Sequence, residues 1–253
     1  IAIPGTQVDG HDYIHQAIDS GASAIISNGR DVGDLSVPQI KVANPRRAAS
    51  IVAAEYYGHP TKHLTVIGIT GTNGKTTSAS LLTSILTQAG YKTAQLGTLG
   101  LIADGFDQQA TLTTPDAISL QKTFSDLRNA DFSHIVMEVS SHALDQYRVA
   151  DVDFNVAVFT NLTSEHLDYH ATLESYYQAK LRLFTMLPLE STAVINESDP
   201  FGPRMADKSN APVISFSKGN GNSIHFTDLS NSISGIKGRV SAGQRTYSIK
   251  SDL

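Results

Sequence analysis

From residue 64 onward, hydrophobic positions follow two alternating rhythms. Short apolar, β-branched runs at 64–69, 93–97, 134–139, 155–160, 192–196 and 213–216 have the length of buried strands. Between them, stretches at 76–89, 116–129 and 172–187 carry apolar residues at helical spacing. In the first stretch Leu81, Leu82, Ile85, Leu86 and Ala89 share a face, and Gly90 closes the helix. Apolar strands separated by helices predict an α/β fold with a mostly parallel, doubly wound sheet and ligands at the C-terminal strand ends. The tail from 223 to 250 alternates Ser, Ile, Gly and Lys, as expected of antiparallel strands added at an edge.

A smaller α/β unit precedes this pattern. It reads as a strand at 1–3, a helix over 11–20 with Tyr13, Ile14, Ala17 and Ile18 on one face, and strands at 24–26 and 37–42. Pro45 opens a further helix that runs to Tyr57 and stops at Gly58. Gly58-His59-Pro60-Thr61-Lys62 reads as a hinge, dividing the chain into domains at 1–60 and 61–253. The first predicted strand already includes Ile1, and Leu253 closely follows the strand-like Arg245-Thr246-Tyr247-Ser248-Ile249. The chain is therefore expected to be a fragment of a longer polypeptide.

Composition narrows the class. With 253 residues, 40% hydrophobic and 17% charged, the chain has enough apolar content for a soluble globular core. It holds no run of about 18 apolar residues, so no membrane partner is expected. A net charge of −5 argues against a nucleic-acid partner, which needs a basic face. The absence of cysteine excludes disulfides, thiolate nucleophiles and Cys-ligated zinc, and fits a reducing cytoplasm.

The richest local chemistry is Gly-Ile-Thr-Gly-Thr-Asn-Gly-Lys-Thr-Thr at 68–77, between an apolar strand and an amphipathic helix. Glycines let backbone N–H groups crowd a phosphate, and the helix N-terminus adds partial positive charge. Lys75 would neutralise phosphate oxygens and the Thr76 hydroxyl would ligate Mg²⁺. The general pattern asks for glycine at position 69, where Ile69 stands; Gly68 and Gly71 straddle it.

Two later strands also end in polar groups. His134-Ile135-Val136-Met137-Glu138-Val139 brings Glu138 to a strand tip, where it holds Mg²⁺ or, on the plainer reading, forms a surface salt bridge. The strand from Val156 to Thr160 leads to Asn161, His166, Asp168 and His170. His166 and His170 stand at the i,i+4 spacing of zinc-binding helices, but no third strong ligand is near in sequence. His166 is therefore read as a ligand to nucleotide-associated Mg²⁺, with capping and loop hydrogen bonds as the alternative. Lys180 reads from its surroundings as an ordinary snorkelling lysine.

Taken together, these motifs resemble the Mur ligases of bacterial cell-wall synthesis over nearly the whole chain. The residues that carry the resemblance are Gly71-Thr72-Asn73-Gly74-Lys75-Thr76-Thr77, the run from Met137 to Val149, Asn161-Leu162-Thr163 through His170, and Ala179-Lys180. The run at 137–149 is similar to members that extend UDP-N-acetylmuramoyl-L-alanyl-D-glutamate by the third residue of the stem peptide. The resemblance implies a partial UDP-substrate-binding first domain and a truncated P-loop ATPase domain. It further implies that the C-terminal domain that selects the amino acid is absent from this chain.

The resemblance also implies roles. Gly71 to Thr77 bind ATP; Thr76, Glu138 and His166 serve Mg²⁺; Lys180 is carbamylated by CO₂ and in that form helps position the metal. Thr113, Thr114, Ser140, Gln146 and Arg148 hold the UDP-muramoyl dipeptide, and Thr6, Gln7 and Val8 touch its UDP moiety. Lys75, Lys180 and His166 are the expected catalytic set. The implied activity is ATP-dependent amide-bond formation through an acyl phosphate, adding diaminopimelate or lysine in peptidoglycan synthesis, by a cytoplasmic monomer. The alternatives are another Mur or folylpolyglutamate-type ligase, or, for this fragment, a nucleotide-binding module without turnover. A GTPase is disfavoured because no Asn-Lys-x-Asp run is present. Two departures stand out: Glu165 occupies a position where the family usually has Asp, and the first-domain serine motif would lie upstream of Ile1.

Overall fold

A computed structural model describes residues 1–5, 8–109, 112–218, 223–233 and 235–252. In the first unit, β1 (Ile25–Ser27) and β2 (Gln39–Lys41) pair in parallel. A 3₁₀ turn at Gly10–Tyr13, capped by the Asp9 side chain, leads into α1 (Ile14–Asp19). Ala2, Ile14 and Ile25 form a small core. Residues 1–3 do not form the expected strand. Ala2 N–H donates to Ile26 O at 2.8 Å, one backbone hydrogen bond to β1 in place of a ladder. The helical face is also narrower than expected, since Tyr13 and Ala17 are exposed and only Ile14 and Ile18 reach the core.

The helix α2 (Pro45–Tyr56) starts where the pattern predicts. Asn44 caps it by accepting from Arg47 N–H, and Pro45 occupies the first turn. The connection after it differs from the hinge that Gly58 to Lys62 suggested. Thr61 is 1% exposed, donates its hydroxyl to Asp153 Oδ2 at 2.7 Å and accepts from Asp153 N–H at 3.1 Å. That reciprocal, buried pair pins the segment to the second unit.

The second unit runs β3 (Thr65–Thr70), α3 (Lys75–Gln88), β4 (Thr93–Gly97), β5 (Gly100–Ala103), β6 (Phe106–Gln108), α4 (Ala117–Asn129), β7 (His134–Glu138), α5 (Ser141–Asp145), β8 (Val156–Phe159) and α6 (Leu167–His170). It continues through α7 (Leu173–Thr185), β9 (Thr192–Asn196), α8 (Gly202–Lys208), β10 (Val213–Lys218), β11 (Ile224–Ser232), β12 (Gly235–Ala242) and β13 (Arg245–Ser251). All these strands join one 11-stranded sheet in the order β13-β12-β11-β10-β9-β8-β3-β7-β4-β5-β6. From β11 to β4 every neighbouring pair is parallel, and antiparallel strands extend both edges. The predicted mostly parallel α/β sheet and the antiparallel tail are both present. The β5–β6 hairpin and the short helices α5, α6 and α8 are additions, too brief to set up a periodicity.

Alternate residues of the strands feed two cores. Val66, Ile135 and Met137 face the large cluster that includes Leu120, Phe124, Tyr176 and Phe184. Ile67, Ile69 and Val136 face α3 on the other side. There α3 buries Ala79 and half-buries Leu82 and Leu86, whereas Leu81 and Ile85 are 50% and 62% exposed. The apolar stripe is thus narrower than the sequence suggests, because α3 rides on one seam of the sheet. Among the described residues, no helix is long and apolar enough to cross a membrane.

Candidate functional site

Because β7, β3 and β8 are parallel neighbours, their C-terminal ends emerge side by side. One strand runs into Gly71–Gly74, the next ends at Glu138, and the third runs into Thr160-Asn161. A cavity of about 250 Å³ opens there, lined by residues 71–76, Thr98, Thr113, Glu138, Ser140, Ser141, His166, Tyr176 and Lys180.

Glycines shape the loop. Gly74 takes φ 83° and hands over to α3 at Lys75. A Cβ on Gly71 would lie 1.9 Å from Thr160 Oγ1, so the loop's approach to β8 leaves no room for a side chain. From that side Asn161 fastens the loop: its Oδ1 accepts from Asn73 N–H at 2.9 Å and its Nδ2 donates to Asn73 O at 3.1 Å. The Asn161 carbonyl accepts from Thr72 N–H at 2.9 Å. The offset glycine spacing therefore accompanies a loop held by the neighbouring strand.

Lys75 folds back over this loop, donating to Gly71 O at 2.9 Å and Thr72 O at 2.8 Å. Lys180 reaches Gly71 O from α7, also at 2.9 Å. It is 1% exposed, with Nζ 4.4 Å from the ring centroid of Tyr176, one turn earlier on the helix. Burial above all, and then the Lys75 charge, lowers the Lys180 pKa to about 7 against an opposing pull from Glu165. Burial likewise holds Lys75 below the ordinary lysine value, with Glu138 and Glu165 opposing. The expectation of a snorkelling Lys180 is overturned, since its ammonium end is held at Gly71 O in the interior instead of reaching out to the surface.

Glu138 is completely buried, which excludes the surface salt bridge. Its Oε1 accepts from Thr76 Oγ1 and from Thr98 N–H, both at 2.9 Å. A Cβ on Gly97 would lie 2.2 Å from that oxygen, so glycine at the end of β4 makes space for the carboxylate. Thr98 Oγ1 meets Thr113 Oγ1 at 3.2 Å. Thr114 Oγ1 donates to Glu138 O at 2.9 Å and accepts from Ser140 N–H at 3.1 Å.

The two histidines of the i,i+4 pair part company. His166 sits at φ 55° with 44% of its side chain exposed, 3.8 Å from Glu165 Oε2. His170 is buried, its Nε2 2.9 Å from Ser141 Oγ, and burial is the main cause of its lowered pKa. The His142 ring lies between them, its centroid 5.0 Å from that of His166 and 5.6 Å from that of His170. Among the described residues, no group of three His, Asp or Glu residues could hold a metal. Asp168 is exposed.

Thr114 connects this cavity to a second polar cluster. Arg148 donates to Thr114 O at 2.9 Å and to Gln146 Oε1 at 2.8 Å. Arg46, on α2 of the first unit, donates to the same Gln146 oxygen at 3.2 Å and to Pro4 O at 2.8 Å. Gln146 Nε2 donates to the Tyr169 hydroxyl at 3.2 Å, which donates to Asp145 Oδ2 at 2.9 Å. Thr6 and Gln7 lie outside the described residues, and Val8 is exposed. Arg46, Thr98, Tyr169 and Tyr176 were not singled out in the sequence. Only Tyr176 had a local signal, its i,i+4 spacing to Lys180.

A family model described as Mur ligase middle domain matches residues 69–253, and one described as Mur ligase family, catalytic domain matches residues 1–57. The chain belongs to the Mur ligase family. This Mur ligase chain is 42% identical over 245 residues to the UDP-N-acetylmuramoyl-L-alanyl-D-glutamate–2,6-diaminopimelate ligase of Geobacter metallireducens, covering 94% of the chain and 48% of that relative. The identically named protein of Oceanobacillus iheyensis is 39% identical over 259 residues, with 100% and 52% covered. A solved structure of a ligase with this name superposes with TM-score 0.82 at 28% identity, covering 96% of this chain and 50% of that one. The MurF ligase from Thermotoga maritima in complex with ADP superposes with TM-score 0.60 at 20% identity, a likeness of fold alone, covering 98% and 54%. The chain spans about half the length of the curated relatives it matches.

Proposed function

We propose that this chain is the ATP- and UDP-substrate-binding part of a ligase that adds diaminopimelate to UDP-N-acetylmuramoyl-L-alanyl-D-glutamate in peptidoglycan synthesis. The observation that carries the reading is the convergence of Lys75, Thr76, Glu138 and Lys180 on one cavity at the ends of parallel strands. The names of the relatives support diaminopimelate over lysine as the added residue. In this reaction the D-glutamyl side-chain carboxylate attacks the γ-phosphorus of ATP, and ADP leaves with the bridging oxygen. The amino acid's amine then attacks the acyl carbon, phosphate departs, and the amine loses its proton.

The chain's own contribution is positioning and charge neutralisation, the main needs of phosphoryl transfer. The α3 N-terminus would meet the phosphates, and Lys75 would exchange its carbonyl partners for phosphate oxygens. The Thr76 hydroxyl and the Glu138 carboxylate are hard oxygen donors that fit Mg²⁺, with His166 at the cavity mouth as the third candidate. Mg²⁺ bound there would offset the phosphate charge. A Lys180 with a pKa of about 7 has a substantial neutral fraction at physiological pH, so its amine can attack CO₂ and release a proton to become a carbamate. The reading is of a cytoplasmic monomer, where ATP and UDP-linked precursors are at hand.

The test is ADP release by the full-length polypeptide given ATP, Mg²⁺, the UDP-muramoyl dipeptide and either diaminopimelate or lysine. Release that requires both the dipeptide and diaminopimelate is expected. Release with lysine alone would reject the choice of amino acid, and no release with either would reject the ligase. The shortness of the chain favours a second reading for these 253 residues by themselves: nucleotide binding without turnover. Calorimetric titration with Mg-ATP should give heat, and amide formation by the same sample would reject this reading.

A further inference from the structure

We infer that Arg46 and Arg148 together form a seat for an oxyanion, a carboxylate or a phosphate of the UDP-linked substrate, at the junction of the two units. The inference rests on the proposed ligase reading and on the family resemblance, which implies that Arg148 holds the UDP-muramoyl dipeptide; the addition is Arg46, from the first unit.

The cluster is built around one neutral acceptor. Both guanidiniums donate to Gln146 Oε1, at 3.2 Å from Arg46 and 2.8 Å from Arg148. Turning the amide would set its N–H donors against the guanidiniums and require the Tyr169 hydroxyl, now donating to Asp145, to donate to Oε1 instead. Tyr169 is in turn tied to Asp145. Gln146 is thus a spacer that keeps two positive groups close together.

No carboxylate forms an ion pair with either guanidinium among the described residues. Neighbouring arginines are different: Arg47 pairs with Asp151 and Arg182 with Asp145. Asp116 lies on the wall of the same cavity, but its oxygens cap α4 through Ile118 N–H, Ser119 N–H and Ser119 Oγ. Burial lowers the Arg148 pKa most, the Arg46 charge lowers it further, and Asp116 opposes both without pairing with the guanidinium. Each guanidinium still has N–H donors beyond those used on Gln146, Pro4 O and Thr114 O.

The space beside them suits an anion. Ile3, Arg46, Leu112, Asp116, Gln146 and Arg148 line a cavity of about 130 Å³, several times the ~30 Å³ share of one water. Through Thr114, which bonds both Arg148 and the Glu138 backbone, the seat is linked to the phosphate-loop cavity. An anion here would satisfy both guanidiniums at once, and its binding would couple α2 of the first unit to the ATP site.

The experiment is calorimetric titration of the full-length polypeptide, as wild type, Arg46→Ala and Arg46→Lys. The probes are UDP-N-acetylmuramoyl-L-alanyl-D-glutamate, the same compound with its carboxylates converted to amides, UDP, and Mg-ATP. Arg46→Ala should weaken the dipeptide compound by about 10-fold or more, the scale of a charge-assisted hydrogen bond. Arg46→Lys should recover part of the loss, the weakening should shrink at high salt, and Mg-ATP affinity should not change. A penalty that disappears with the amide compound and with UDP identifies a carboxylate; one shared by all three UDP compounds identifies a phosphate. Equal binding by wild type and Arg46→Ala overturns the seat alone, as does a variant that loses Mg-ATP to the same degree. A wild type that binds Mg-ATP but none of the UDP compounds overturns the ligase reading as well.

Discussion

Lys75 and Lys180 donate to the same carbonyl oxygen, that of Gly71, each at 2.9 Å. They come from different helices, α3 and α7, and meet because the phosphate loop lies between the two. Burial lowers the pKa of both lysines most, and repulsion between two ammonium groups on one neutral acceptor adds to it for Lys180, the more buried of the two. Hence Lys180 is the group brought to about 7. This arrangement leaves Lys75 as the cation facing the cavity and makes Lys180 available as a neutral amine.

Replacing Lys75 should therefore weaken phosphate binding without unfolding the chain. Lys75→Ala is expected to weaken Mg-ATP binding by about 10- to 100-fold, from roughly 1.5–3 kcal/mol for a charged hydrogen bond. Calorimetry would measure the loss, and a thermal melt would check that the fold survives.

Lys180 makes stability depend on pH. Its folded pKa is below its unfolded value, so between about 7 and about 10.4 the unfolded chain binds more protons there. Stability from this group is lowest below pH 7 and rises through that window. Lys180→Met should flatten the rise in urea midpoint between about pH 7 and 9. At fixed dissolved CO₂, a ¹³C carbamate resonance should grow as pH climbs through about 7 and be absent from the variant.

Gly97 is the space that Glu138 occupies, since an added Cβ would lie 2.2 Å from Oε1. Gly97→Ala should cost about 1–3 kcal/mol through overpacking and displace the carboxylate from Thr76 and Thr98. Urea unfolding would register the first effect, and a weaker Mg²⁺ dependence of ATP binding the second.

The connection between the units should resist protease, contrary to what Gly58-His59-Pro60 suggests in the sequence. Thr61→Val strands the Asp153 carboxylate and is expected to cost about 1–3 kcal/mol. Limited proteolysis should spare residues 58–63 in the wild type and cut there in the variant.

Much of the site was legible locally. The loop at 71–77, Glu138 at a strand tip and the segment after β8 all lie at C-terminal strand ends, and parallel strands gather such ends along one edge. Lys180 was legible only through the family resemblance, because nothing near it in sequence distinguishes a buried lysine from a snorkelling one. Leu81 and Ile85 misled for a related reason: helical spacing marks an apolar face but not which part of it a sheet will cover. Arg46 and Gln146 stand 100 residues apart, and only the docking of α2 brings them together.

Periodicity and turn chemistry are short-range, so the order of strands, helices and the phosphate loop followed from the residues themselves. Burial, shared acceptors and shifted pKa values belong to pairs of distant segments. The low pKa of Lys180, the enclosed Glu138 and the paired guanidiniums at Gln146 arise only once the sheet order and the docking of α2 and α7 decide which groups lose water and which neighbours replace it.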